Sequence, residues 1–242
     1  MNANNDEKKA ERLFVSSAQM AIADNYNSWI FDKFKPQVKG RVLEVGCGVG
    51  TFTRSIISKC SFDSLLSIDV SEEAVEFCRG TLKSPALNFM HSDVMDINGS
   101  FDCIICMNVL EHIQDDRSAL LHLLEILAPN GFIFLLVPAH ITLFSDFDRA
   151  AGHFRRYSKK AMRSLLLNNL DNKNIELEQY YFNSVGAVGY YFVYKILNKM
   201  PKSDTSVEIG FFDTAIVPLL RIVEPKWLPF GLSLISVIRK IS

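Results

Sequence analysis

The chain has 242 residues, 48% of them hydrophobic and 22% charged, enough to bury a sizeable core as one domain with an elaborated end. Its 26 Lys and Arg offset 27 Asp and Glu to a formal net charge of −1, which argues against a dedicated polyanion-binding surface and against nucleic acid as a partner. Met1 to Arg12 is polar and charged, unlike a signal peptide, and no apolar stretch reaches the roughly 18–20 residues of a membrane span, so a cytoplasmic location is expected.

Phe14 to Phe34 reads as helix, with Met20, Ile22, Tyr26, Trp29, Ile30 and Phe34 as its larger apolar members, and Pro36 and Gly40 end it. Residues 1–37 thus form an N-terminal helical cap. Val42, Leu43 and Val45 read as a buried parallel strand that carries Glu44 and runs into Gly46-Cys47-Gly48-Val49-Gly50. Glycines at every second position let the backbone turn sharply where a ligand comes close. A helix starts at Thr51, completing the strand, Gly-rich turn and helix of the nucleotide-binding end of an open α/β sheet. The spacing is G-x-G-x-G, not the G-x-G-x-x-G of a dinucleotide fingerprint, and the Gly-Lys-Ser/Thr of a P-loop is absent. A carboxylate two residues before the first glycine suits a cationic ligand better than a pyrophosphate.

Leu65 to Asp69 is a second strand ending in an acid, and Ser71 caps a helix with Glu72 and Glu73 in its first turn. Ala86 to Met90 is the third strand and Phe101 to Met107 the fourth. Leu120, Leu123, Leu124 and Leu127 recur at helical spacing until Pro129-Asn130-Gly131 stops the helix, and Phe132 to Val137 is the fifth strand. This rhythm predicts a doubly wound, mostly parallel sheet. Beyond it come an amphipathic helix (Ser158 to Leu170), a strand (Ile175 to Phe182), two apolar helices (Val185 to Leu197 and Phe211 to Val223) and a last strand (Leu232 to Ile238). The five cysteines, Cys47, Cys60, Cys78, Cys103 and Cys106, read as free thiols. Cys103 and Cys106 lie three apart in a strand and so point to opposite faces, which argues against a metal or redox pair.

The segment Glu44-Val45-Gly46-Cys47-Gly48-Val49-Gly50 resembles the first motif of class I S-adenosylmethionine-dependent methyltransferases, and the likeness continues with interruptions from about residue 26 to about residue 170. It implies a seven-stranded Rossmann-like methyltransferase fold, with a sixth strand and an antiparallel seventh in the tail and a helical insertion before the last strand. Residues 38–140 would be the cofactor-binding core, and 141–242 the substrate-side lid, insertion and last strands.

The resemblance assigns the cofactor S-adenosylmethionine, left as S-adenosylhomocysteine, and no metal. Asp69 would hold the ribose hydroxyls, with Val70 beside it, since a carboxylate ending the second strand accepts from both. Asp93 and Val94 would meet the adenine. Glu44 would organise the glycine loop and the methionine amino group, with Gly46, Cys47, Gly48 and Gly50 against the cofactor. Met107 and Asn108 would face its methionine part, because ligands of open sheets sit outside the carboxyl ends of strands. There is no Asn-Pro-Pro-Tyr or Asp-Pro-Pro-Tyr clamp and no Pro-Cys nucleophile, which points to a small-molecule acceptor.

His112, His140 and His153 are the candidate bases, since a neutral imidazole near pH 7 suits deprotonation of an alcohol or phenol. At least one of His140 and His153 is expected to touch substrate. Gly152-His153-Phe154-Arg155-Arg156-Tyr157-Ser158 reads as part of an active-site lid and resembles stretches in bacterial methyltransferases of the ubiquinone-biosynthesis type. Arg155 and Arg156, with Tyr157, either clamp an acidic group of the acceptor or pair with Asp146 and Asp148 and fasten the lid. Tyr191 lies in an inserted helix apolar almost all round, which a lipid-like acceptor, a membrane surface or a homodimer partner would each explain, as would core packing in a monomer. The reading is O-methylation of a small metabolite. The alternatives are methylation of a lipid- or glycan-linked acceptor at a membrane surface, or a non-catalytic S-adenosylmethionine-binding protein.

Overall fold

The computed structural model describes residues 18, 20–167, 175–197 and 206–241. Seven strands form one sheet: β1 (Arg41–Val45), β2 (Ser64–Asp69), β3 (Leu87–His91), β4 (Phe101–Met107), β5 (Leu127–Pro138), β6 (Ile175–Phe182) and β7 (Ser233–Lys240). Their order is β3-β2-β1-β4-β5-β7-β6. The first five pair in parallel, and β7 runs antiparallel between β5 and β6. The order reverses between β1 and β4, so the crevice of the open sheet lies at the carboxyl ends of those strands.

Period-two alternation sends successive side chains to opposite layers. Leu43, Ile104, Cys106 and Leu135 pack on one face with Leu120 and Leu123 of α4 (Asp116–Glu125) and Met162 and Leu166 of α6 (Lys159–Leu167). Val42, Cys103, Ile105 and Phe134 pack on the other with Trp29, Ile30, Phe31 and Phe34 of α1 (Asp24–Phe34). Cys103 and Cys106 therefore do separate across the sheet. Around the glycine-rich loop, α2 (Thr51–Lys59) follows β1 and α3 (Glu72–Thr81) follows β2, with the Ser71 hydroxyl accepting from Ala74 N at 3.2 Å as its cap.

Three expectations are corrected. The expected helix from Phe14 is interrupted: Ala18, Met20 and Ala21 are helical, Ile22 and Ala23 break the run, and α1 restarts at Asp24, while Phe14 to Ser17 and Gln19 lie outside the described residues. The helix bearing Leu120 ends at Glu125, and Leu127 already belongs to β5. Pro129-Asn130-Gly131 does not stop a helix. It is an irregularity inside the strand, with Asn130 left-handed (φ 61°) and the pairing register shifting between Phe101 and Cys103 on β4. The tail helices are broken as well: α7 (Ser184–Tyr190) runs into a π-helix at Tyr191–Ile196. A second π-helix, Phe212–Ile216, separates α8 (Ser206–Phe211) from α9 (Val217–Val223). Pro218 in the first turn of α9 lacks an N–H, which accounts for the widened winding before it. Residues 168–170 of the expected amphipathic helix, Ser158 to Leu170, lie outside the described residues.

Candidate active site

The loop after β1 is built by the sequence as expected. Gly46, Gly48 and Gly50 all adopt positive φ (80°, 51° and 77°), which side-chain-bearing residues rarely tolerate. Gly46 N and Cys47 N donate to Ile68 O at 2.8 and 3.0 Å, which seats the loop on the end of β2. A Cβ at Gly46 would come within 2.3 Å of Val109 Cγ2, so this glycine also lets the loop touch the turn after β4.

Glu44 is buried beneath that loop. Its Oε2 accepts from the hydroxyls of Thr53 at 2.5 Å and Ser67 at 2.7 Å, tying β1 to α2 and β2. Burial pushes its carboxyl up to about 7, against the pull of those hydroxyls. At the end of β2, Asp69 Oδ2 accepts from Gly48 N at 2.8 Å and Oδ1 from Ser71 N at 2.9 Å. Burial raises its pKa, and the two amides oppose the rise. A carboxylate has about four acceptor positions, so these bonds leave room for the two hydroxyls of a ribose. The loop, the carboxylate and the left-handed turn thus fit a nucleoside-type ligand. Val70 is exposed beside Asp69, and Asp93 is exposed after β3 with Oδ1 accepting from Met95 N at 2.9 Å above the buried Val94. Met107 is buried at the end of β4, and Asn108 follows it exposed and left-handed (φ 52°).

His140 follows β5 in a left-handed conformation (φ 59°), with its ring stacked on Tyr181 of β6 at 4.3 Å. Burial, then the Arg156 charge, lowers its pKa, which keeps the imidazole neutral at pH 7. Its Nε2 is buried without a hydrogen-bond partner among the described residues.

The segment expected as a lid turns on Asp148 of α5 (Asp146–Ala151), a buried residue that sequence reasoning named only as a possible arginine partner. Its Oδ1 takes Arg156 Nε at 2.8 Å and His153 Nδ1 at 2.9 Å, and its Oδ2 takes Tyr190 OH at 2.8 Å and Ser145 N at 2.9 Å. Arg156 also donates to Ala139 O at 3.2 Å and lies 4.4 Å from the Tyr190 ring. Arg155 departs from the expected partners. It pairs with Asp116 at 2.5 Å and donates to Gln114 O at 2.7 Å, while Asp146 pairs with Arg149. Tyr157 is buried and donates to Asp116 Oδ2 at 2.7 Å. In this structure Arg156 and Tyr157 therefore fasten the segment, and Arg155 is engaged at the start of α4. The ring centroids of His112 and His153 lie 4.7 Å apart, beside Glu111, whose carboxyl burial raises to about 8. Tyr191 is exposed on the first π-helix, away from the Asp148 cluster that Tyr190 joins. The Ser145-x-x-Asp148 capping pattern was the available signal for Asp148. Asp116 and Glu111 carried none.

Residues 18–174 match the family model described as methyltransferase domain. The chain belongs to the S-adenosylmethionine-dependent methyltransferase family. A ubiquinone biosynthesis O-methyltransferase of Xanthomonas oryzae pv. oryzae is 33% identical over 101 residues, covering 39% of this chain and 41% of that protein. A malonyl-[acyl-carrier protein] O-methyltransferase 1 of Ilyobacter polytropus is 27% identical over 185 residues, 71% of this chain and 68% of that protein. The chain spans about half or less of the length of most curated relatives it matches. Among solved structures, a putative methyltransferase from a complex with the Haloferax volcanii Trm112 methyltransferase activator aligns with a TM-score of 0.65 at 17% identity, over 98% of this chain and 97% of that one. The plantazolicin methyltransferase BpumL, solved with S-adenosylhomocysteine, aligns with a TM-score of 0.56 at 14% identity, over 99% and 89%. These likenesses carry the fold. No helix among the described residues is long and apolar enough to cross a membrane.

Proposed function

We propose that this protein transfers a methyl group from S-adenosylmethionine to an oxygen of a small-molecule metabolite. The observation that carries the reading is Asp69, held by Gly48 N and Ser71 N against a loop of three left-handed glycines at the switch point of the sheet. Residues 38–140 form the cofactor half, with Asp69 on the ribose, Asp93 toward the adenine, and Asn108 and the Glu44-braced loop toward the methionine part. Residues 141–242 form the acceptor side. Bound there, S-adenosylmethionine supplies a methyl already activated by its sulfonium. The chain's own work is then alignment, exclusion of water and removal of the acceptor proton. His140 is the best-placed base of the three histidines, because Nε2 is unpartnered and the ring is held neutral by burial. The O-methyltransferase names of several low-identity relatives support oxygen as the acceptor atom.

Calorimetry tests the cofactor half. S-adenosylmethionine and S-adenosylhomocysteine should bind and NAD should not. Incubation of a metabolite extract with methyl-labelled cofactor tests the transfer, and binding with no label incorporated would favour a non-catalytic role. A second reading, an acceptor presented at a membrane surface, is favoured by the exposed Phe192, Phe211, Leu219, Ile222 and Trp227 of the insertion and the loop after it. Sedimentation with liposomes distinguishes it from an apolar acceptor pocket, and light scattering distinguishes both from a homodimer face.

A further inference from the structure

Glu111 is the least explained side chain among the described residues. It is fully buried, yet both carboxylate oxygens lack any hydrogen-bond partner among the described residues. Burying a carboxyl without partners is costly, and native structures keep such groups only where something else completes them. The nearest full charges do not. Arg156 is already neutralised by Asp148, with Nε on Oδ1 at 2.8 Å.

What surrounds the orphan is a set of nitrogen donors. One donor atom each from Glu111, His112 and His153 lie within 4.8 Å of one another. The three come from two segments joined by backbone. Leu110–His112 is a single 3-10 turn after β4, and Phe154 N donates to Glu111 O at 2.8 Å, which brings His153 over that turn. His153 is also oriented. Its Nδ1 is hydrogen-bonded to Asp148 Oδ1 at 2.9 Å, and a carboxylate on that nitrogen fixes the tautomer that leaves Nε2 as a lone-pair donor. A carboxylate behind a histidine is the arrangement that orients metal-ligating imidazoles.

We propose that Glu111, His112 and His153 bind a divalent first-row transition-metal ion of the Zn2+ class. One carboxylate and two imidazoles match that class better than Mg2+ or Ca2+, which favour all-oxygen shells. Ligand bonds of about 2.0–2.2 Å would draw the three donors to roughly 3.3–3.5 Å apart, a contraction within reach of small side-chain rotations. Three protein ligands leave at least one position open to water or to an oxygen of the acceptor, which would place a Lewis acid between the turn after β4 and the lid. The sequence contained Glu111-His112 and His153 but separated them by forty residues, and the expectation from the family was that no metal is used. The site does not depend on the assignment of the methyl-transfer reaction, since cation binding is measured without cofactor or acceptor.

The test uses the full chain stripped with chelator. Titration with Co2+ should produce visible ligand-field absorption that saturates near one ion per chain, and Zn2+ should abolish it by competition. Elemental analysis after Zn2+ loading and desalting should return the same stoichiometry. Glu111→Gln keeps the volume and removes the anionic ligand, and His153→Asn removes a nitrogen. Each should weaken Co2+ binding by about ten-fold or more, with circular dichroism confirming that the variants are folded. If the substitutions leave either protein unfolded, His112→Gln in the same titration decides. No spectrum, or equal Co2+ binding by wild type and a folded variant, would mean an adventitious ion only and would overturn the proposal.

Discussion

Asp148→Asn is the sharpest test of how the lid segment is held. The substitution keeps size and removes charge from a side chain that is fully buried and accepts from Arg156, His153, Tyr190 and Ser145. Its partner Arg156 is only 6% exposed, so the variant leaves a guanidinium with no counter-charge in a poorly solvated place. Breaking one side of a buried pair costs about 3–5 kcal/mol, a large share of the roughly 5–15 kcal/mol that stabilises a domain. Urea unfolding of metal-free protein at pH 7 measures it. The double variant Asp148→Asn with Arg156→Met should recover about half or more of the loss, because the orphaned charge goes too. The loss should also depend on pH in a set direction. Burial alone would raise the Asp148 carboxyl, but the His153 hydrogen bond, the Arg156 charge and the Tyr190 hydrogen bond outweigh it and hold it well below the usual carboxylate range. A depressed folded pKa contributes stability that is complete above the unfolded value of about 3.9 and is lost as pH falls toward the folded value. Wild type and variant should therefore converge on acidification below about pH 4. A loss under about 1 kcal/mol at pH 7, or a double variant no better than the single, would refute the argument that this ion pair fastens the lid.

Asp69→Ala should weaken S-adenosylmethionine binding by about 1–3 kcal/mol in calorimetry, and unchanged affinity would sink the ribose assignment. Glu44→Gln should alter the pH dependence of stability. Burial raises the folded carboxyl to about 7 against about 4.3 unfolded, so the folded state holds the extra proton and wild type loses stability as pH rises from about 4 to 7. In cofactor-free unfolding curves over that window the variant should gain on wild type with rising pH, and a constant difference would contradict the burial argument. Tyr191→Asp and Phe192→Asp lie on an exposed face and should change stability by no more than about 0.5 kcal/mol. Their effect should fall on acceptor turnover or liposome sedimentation, and a monomer that ignores liposomes and keeps full turnover would leave this face without a role.

The order β-α-β-α and the glycine loop were legible because each rests on local rules. Alternation placed Val42 and Leu43 on opposite faces, and the left-handed turn needed glycines at 46, 48 and 50. The stop at Pro129-Asn130-Gly131 was misjudged because turn residues that end a helix also make a strand irregularity. Here pairing of Leu127 with Phe101 and burial of Leu127 against β4 favoured the strand. The choice of ion-pair partners was legible only in part: Arg156 takes Asp148, one of the expected acids, but Arg155 does not take Asp146. Arg155 takes Asp116, thirty-nine positions earlier, because its segment lies on the start of α4, and that neighbourhood exists only after the sheet has formed. Glu111 escaped notice for the opposite reason. Nothing in its neighbours Val109 and Leu110 marks it, and only tertiary burial makes it unusual.

The turn after β4 connects the two halves of the site. On its cofactor side, Val109 fills the space a Cβ at Gly46 would need, so the glycine loop and this turn pack as one unit. On its lid side, Glu111 O accepts from Phe154 N, and Tyr157 OH donates to Leu110 O at 3.2 Å as well as to Asp116. Five consecutive residues, Asn108 to His112, thus bear on the proposed methionine end of the cofactor site, on the candidate cation ligands and on the segment proposed to cover the acceptor side. A left-handed Asn108 starts this path, with its backbone N–H on Leu136 O at 2.8 Å, which anchors the turn to β5 directly before the strand delivers His140. With cofactor and acceptor placed as proposed, such an arrangement would need no long-range signal to coordinate them. A shift of the turn must move both the glycine loop on one side and the segment bearing Phe154 and Tyr157 on the other, because packed side chains transmit displacement when they have no free volume to absorb it.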